Sequence, residues 1–238
     1  MKIHMVADAD SAASEAARFI AGQARAAVKD HGSFVMAVSG GHTPWLMLRA
    51  LAREDLPWNA VNVVQVDERI APAGDVHRNL THLQESLLEH APLPREQIHP
   101  MPVESSDLEA ACAQYAQTLQ MIAGSPPLLD LVHLGLGPDG HTASLVPGDP
   151  VRNVKDVDVA LTGLYQGRRR MTLTYPILNR SRQILWLVTG EERAGMLGRL
   201  VARDLSIPAG GVRNDHAMVI ADRAAASRLG DNLQAEVA

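Results

Sequence analysis

Apolar runs of strand length alternate with longer amphipathic stretches along this chain. Between residues 8 and 30, Ala13, Ala16, Ala17, Ile20, Ala24 and Ala27 recur at spacings of three and four. That spacing predicts a helix, with Asp10 or Ser11 as its N-cap. Residues 34–38 form a short apolar run that reads as a buried strand, and Ser39-Gly40-Gly41 reads as a turn. Thr43-Pro44 then resembles an N-cap with proline at the first helical position, opening a helix towards Arg53. A second strand, 61–66, ends at Asp67-Glu68-Arg69, and helices around 80–90 and 106–123 lead to a third strand over 128–134. Further strands are expected over 170–174 and 183–188. A helix from Glu191 to about Arg203, a last strand over 216–220 and an alanine-rich helix complete the pattern.

Strands apolar on both faces and separated by helices indicate an α/β fold with a largely parallel sheet and helices on both faces. The four prolines between 91 and 104 mark a turn-rich connection rather than a boundary, and no internal repeat is present. A single α/β domain over 1–238 is expected. In such a sheet, ligands bind outside the carboxyl ends of the strands. Three features fall at expected strand ends: Ser39-Gly40-Gly41-His42-Thr43-Pro44, Asp67-Glu68-Arg69 and Gly135-Leu136-Gly137-Pro138-Asp139-Gly140-His141-Thr142. The fold brings them to one edge, and that convergence is the main functional clue.

Composition narrows the class. Hydrophobic residues make up 46% and charged residues 21%, ordinary values for a folded globular chain. A net charge of −5 argues against nucleic acid or an anionic membrane as the main partner. One cysteine, Cys112, leaves no internal disulfide to form and fits a reducing compartment. No apolar segment develops before Asp8, so no signal peptide is expected, and no run approaches the length of a membrane span. The expectation is a soluble, cytoplasmic protein whose oligomeric state stays open.

The first loop has the parts of a phosphate cradle: two glycines that let the backbone approach an anion, then the positive end of a helix. Plain turn chemistry explains it equally well. The third loop contains Gly135-x-Gly137-x-x-Gly140, the dinucleotide fingerprint, but Pro147 and Pro150 interrupt the helix that should follow. Asp139 would also stand where a pyrophosphate belongs. Aspartate and histidine two residues apart suit acid–base chemistry better, because imidazole changes charge in the neutral range. Asp67-Glu68-Arg69 alone reads as a solvated ion cluster. Arg170 ends a basic run beside a strand and is within reach of an anionic ligand, and Arg193 lies in the first turn of its helix, where a bound anion explains a cation better than the helix dipole does. The histidines show no metal-ligand pair, Ser39 and Ser144 lack a nucleophile elbow, and a nucleoside-triphosphate loop is absent.

At these residues the chain resembles the 6-phosphogluconolactonase family nearly end to end. Ser39-Gly40-Gly41-x-Thr43-Pro44 is similar to its first signature and Asp67-Glu68-Arg69, with Arg78-Asn79 following, to its second. The stretch from Leu134 to Leu145 is the most specific match, and 170–174 and 188–194 resemble the later signatures. Arg193 stands where the family usually has lysine, and Val146 where phenylalanine is common. The resemblance implies a Rossmann-like fold shared with sugar-phosphate isomerases, a sugar-phosphate lactone as substrate, and no cofactor or metal. It implies His141 as general base with Asp139 orienting it, Gly40, Gly41, Thr43 and Arg193 on the phosphate, Arg170 nearby, and Asp67 and Arg69 on the substrate, Arg69 being placed to meet the oxyanion. The glucosamine-6-phosphate deaminases of this fold are the nearest rivals, but they carry an Asn-Glu-Pro shortly after their Gly-His. Here 142–148 contains no acid. A sugar-phosphate sensor, which joins such a domain to a DNA-binding module, is the other alternative.

Overall fold

The computed structural model describes residues 1–230. In chain order the strands are β1 Lys2–Val6, β2 Phe34–Val38, β3 Val61–Gln65, β4 Asp67–Arg69, β5 Ile98–His99, β6 Leu131–Leu134, β7 Val159–Leu161, β8 Arg170–Leu173, β9 Gln183–Val188 and β10 Ala217–Asp222. The α-helices are α1 Ala9–His31, α2 His42–Leu51, α3 Asn79–Leu83, α4 Leu108–Ala123, α5 Tyr175–Arg180 and α6 Ala194–Val201. Seven strands form one sheet in the order β1-β10-β9-β6-β2-β3-β5, with every pairing parallel. From β2 the chain builds outward through β3 and β5, then returns to place β6 on the other side. The strand order therefore reverses between β2 and β6, and a crevice opens outside their carboxyl ends.

The period-two alternation of β2 explains why its apolar run is unbroken. Phe34, Met36 and Val38 pack on one face with the alanine stripe of α1 and with Met47, Leu48 and Leu51 of α2. Val35 and Ala37 pack on the other, with Tyr115 and Leu119 of α4 and Leu197 of α6. Helices thus cover both faces, as expected of a doubly buried parallel sheet. Cys112 lies within the second core, and burial raises its thiol to about 11, far from the reactive range. Among the described residues no helix is long and apolar enough to cross a membrane.

Several sequence expectations are corrected here. The N-cap of α1 is Asp8, whose carboxylate accepts the Ser11 N–H at 2.8 Å, rather than Asp10 or Ser11. Helix α2 begins at His42 with Gly41 as N-cap, so Thr43 lies inside the first turn and does not cap. The helix expected from Glu191 starts as a 3-10 turn, Glu191–Arg193, and becomes α-helical only at Ala194. After β10 the described residues turn without forming a helix, and 231–238 lie outside the described residues. The strand expected over 170–174 does not join the parallel sheet. It is the centre of a separate antiparallel sheet, β4-β8-β7.

Candidate active site

The loop after β2 is fixed from below by His133 of β6. The Ser39 hydroxyl donates to the His133 carbonyl at 2.9 Å, and the Ser39 N–H donates to His133 Nδ1 at 3.3 Å. A ring nitrogen can accept only while the imidazole is neutral, and burial lowers His133 to about 3. Gly41, at φ +126°, then turns the chain into α2, whose first residues line the crevice. Gly40 is required by packing: a Cβ there would sit 2.0 Å from Asn79 Oδ1. Thr43 reaches across the crevice, its hydroxyl 2.7 Å from that of Thr189 in the loop after β9.

Asp67-Glu68-Arg69 is not a solvated cluster. Asp67 and Glu68 are buried. Glu68 accepts the backbone N–H groups of Arg69, Asn79 and Leu80, each at 2.8 Å, and so anchors the start of α3 to β4. Asp67 accepts Asn79 Nδ2 on one oxygen, at 3.1 Å, and the Ser144 hydroxyl on the other, at 2.5 Å. Arg69 donates to Asn79 Oδ1. In the antiparallel register of β4 and β8, Arg69 stands directly opposite Arg170. Like charges so placed destabilise a strand pair. Neither guanidinium has a carboxylate within ion-pair distance among the described residues, and Arg170, 5% exposed, also has a buried Nε without a partner. Burial is the main cause lowering Arg170 from its ordinary value; Asp67 opposes the shift and Arg69 adds to it. Such an arrangement is suited to an anion.

The loop after β6 builds the chemical group. Asp139 Oδ1 accepts both the His141 backbone N–H at 3.1 Å and ring Nδ1 at 2.5 Å. Burial raises the Asp139 carboxyl, but the His141 N–H, ring and charge outweigh it and hold the group below its usual value. An ionised carboxylate against Nδ1 fixes the proton there, leaving Nε2 as the free lone pair. No hydrogen bond engages Nε2 among the described residues. Gly137 makes room for the pair, since a Cβ would lie 2.1 Å from His141 Nδ1. The Tyr165 hydroxyl donates to Asp139 Oδ2 at 3.3 Å, and its ring meets His141 edge-on with centroids 5.6 Å apart.

Arg193 donates from Nε to the Leu136 carbonyl at 2.9 Å and from Nη1 to the Thr189 carbonyl at 2.8 Å, and pairs with Glu192. Its Nη2 carries no hydrogen bond among the described residues. The crevice is a cavity of about 510 Å³ whose wall includes Gly40, Gly41, Thr43, Asp67, Arg69, His141, Arg170 and Arg193. Of the catalytic and substrate-binding residues expected from the sequence, Asp139 does not line this cavity but bonds to His141, which does. Among the described residues no three His, Cys, Asp or Glu side chains gather as a metal-holding group.

The family described as glucosamine-6-phosphate isomerases/6-phosphogluconolactonase matches residues 7–221. The chain belongs to this family. A 6-phosphogluconolactonase of Synechocystis sp. is 37% identical over 180 residues, covering 74% of this chain and 75% of its own. One of Mycobacterium tuberculosis is 33% identical over 241 residues, covering 95% of this chain and 98% of its own. A solved 6-phosphogluconolactonase from Thermotoga maritima superposes with a TM-score of 0.83 at 27% identity, across 93% of this chain and 98% of its own. The Rossmann-like fold expected from the sequence is the fold observed.

Sequence reasoning missed four residues that build this candidate site. His133 and Ser144 are buried supports whose roles depend on partners 94 and 77 residues away. Asp222, at the end of β10, accepts the Gly190 N–H at 3.1 Å and so shapes the loop that carries Arg193. Tyr165 lies in a segment without periodicity. Its only signal was Gln166-Gly167 between two β-like runs, the composition of a hairpin turn.

Proposed function

We propose that this protein hydrolyses 6-phospho-D-glucono-1,5-lactone to 6-phospho-D-gluconate, with His141 as general base, as in the oxidative pentose phosphate pathway. The observation that carries the reading is the His141–Asp139 pair, whose free Nε2 shares one cavity with two guanidiniums that lack carboxylate partners. A water held at Nε2 gives up its proton as its oxygen bonds to the lactone carbonyl carbon. Asp139 balances the imidazolium that forms. The tetrahedral oxyanion is met by Arg69 or by backbone N–H groups of the glycine loops. As the carbonyl re-forms, the bond to the ring oxygen breaks and the imidazolium returns its proton to that oxygen. The net change is addition of one water, with no electron transfer.

The 6-phosphate is assigned to Gly40, Gly41, Thr43 and Arg193, with Arg170 supporting it; Asp67 is placed to accept from a substrate hydroxyl. Arginine in place of the family's usual lysine keeps the charge and adds donors: two fasten the side chain to carbonyls while Nη2 stays free. The chain is read as a lactonase rather than a deaminase because no acid lies between Thr142 and Gly148. Generating the lactone in situ and following its decay, alongside incubations with glucosamine-6-phosphate and fructose-6-phosphate, tests the assignment. Accelerated lactone decay with neither sugar phosphate consumed is expected. Turnover of glucosamine-6-phosphate without lactone hydrolysis would overturn it.

A further inference from the structure

The connection between β7 and β8 is a hairpin whose tip reaches the catalytic pair. Thr162 N–H donates to the Arg170 carbonyl at 2.9 Å, and Tyr165 pairs with Arg168 across Gln166 and Gly167. Both turn residues have positive φ, +51° and +76°, the two-residue turn that matches strand twist. The tip is tied down on its outer side by an ion pair of Arg168 with Asp75, at 3.1 Å. Tyr165, immediately before the turn, is thereby aimed inward. Its ring has the Arg170 guanidinium over one face, 4.9 Å from the centroid, and His141 at its edge.

We propose that Tyr165 is a positioning residue for the His141–Asp139 pair, its hydroxyl holding the outer oxygen of Asp139 while its ring walls the imidazole. The proposal rests on the lactonase reading for its kinetic consequence, but not for its structural one. The two oxygens of Asp139 are divided between two donors: Oδ1 serves His141 and Oδ2 serves Tyr165. A carboxylate held at one oxygen only can swing about its χ2 bond, whereas one held at both cannot. Proton placement agrees. Burial, reinforced by the charge of Asp139, raises the Tyr165 phenol, so it remains a donor, while Asp139 is held ionised and accepts. Fixing Asp139 fixes the proton on Nδ1 of His141 and presents Nε2 to the cavity. Tyr165 touches neither substrate nor water in this scheme; it acts through Asp139 and His141.

Tyr165→Phe keeps the ring and its contacts with His141 and Arg170 and removes only the hydroxyl, so it isolates the claim. Without that hydroxyl, Asp139 is held at one oxygen only, free to swing about χ2, and no longer confines the proton to Nδ1 of His141. The other charged groups that line the cavity with the imidazole (Asp67, Arg69, Arg170, Glu192, Arg193 and Asp222) are unaltered by the substitution. The variant is expected to lose about three- to tenfold in kcat and to keep KM within about twofold. An unchanged kcat overturns the proposal, as does a raised KM at constant kcat, which would make Tyr165 a substrate contact. Ring ¹⁵N shifts of His141 provide a second reading that needs no turnover. In Tyr165→Phe they are expected to show loss of the single Nδ1–H tautomer, and an unaltered spectrum overturns the proposal. If the wild-type protein hydrolysed no lactone, the functional reading would fail while the ¹⁵N comparison still decided the role of Tyr165.

Discussion

A Cβ on Gly137 would lie 2.1 Å from His141 Nδ1 and 2.8 Å from Asp139 Oδ1, and neither group can retreat without breaking their mutual bond. Gly137→Ala is therefore expected to lower kcat by about two orders of magnitude, the lower end of what a positioned base contributes. KM should stay near the wild-type value, because the residues proposed to hold the phosphate lie on other loops. Steady-state kinetics on the lactone checks both numbers. Arg193→Lys makes the opposite cut: charge is retained but the fork that binds two carbonyls is lost, so KM should rise about three- to tenfold at nearly constant kcat. At this scale the sequence was informative where glycine, aspartate and histidine crowd a strand end. It was silent on Ser144 and His133, whose chemistry comes from distant partners, and it misplaced Thr43, whose hydroxyl serves Thr189 rather than a helix N–H.

Among the elements, the small sheet β4-β8-β7 differs most from expectation. Strand β8 is buried throughout, as the central parallel strands β2 and β6 are, so its composition carries the same signature although its partners are antiparallel. Burial pattern reports the environment of a strand, not its neighbours. Strand β1 escaped notice for a related reason: it is an edge strand, and Lys2 and His4 break its apolar run. The register of the small sheet sets Arg69 against Arg170, a cost in stability that a bound anion would offset. Arg170→Gln should consequently raise KM at least about tenfold while leaving Tm unchanged or a few degrees higher. Added phosphate should raise Tm for the wild type more than for this variant, because ligand stabilisation scales with affinity. Thermal melts with and without phosphate measure the pair of effects directly.

The whole molecule places its chemistry where the strand order reverses, and the loops from β2, β6 and β9 reach the cavity from there while β4 and β8 wall it. The convergence of the loops after β2 and β6 at one edge was legible from the alternation of strands and helices; the reversal in strand order and the antiparallel wall were not. The net charge of −5 is no obstacle to an anionic substrate, since Arg69 and Arg170, neither within ion-pair distance of a carboxylate among the described residues, stand on the cavity wall that Asp67, Glu192 and Asp222 also line. One buried group ties global stability to pH. His133, ordinarily near 6.5, is lowered to about 3 by burial, so the unfolded chain takes up a proton that the folded chain refuses. Stability should be complete above about pH 6.5 and decline towards pH 3, by roughly 3–6 kcal/mol from this group. Urea midpoints between pH 7 and 4 should fall accordingly, and His133→Asn, which can still accept the Ser39 N–H, should flatten the slope. The most direct test of the account is the decay of 6-phosphogluconolactone with wild-type protein and with His141→Ala at matched concentration and equal Tm. A loss of about a hundredfold or more is expected if the imidazole is the base; turnover within about threefold of wild type would contradict it.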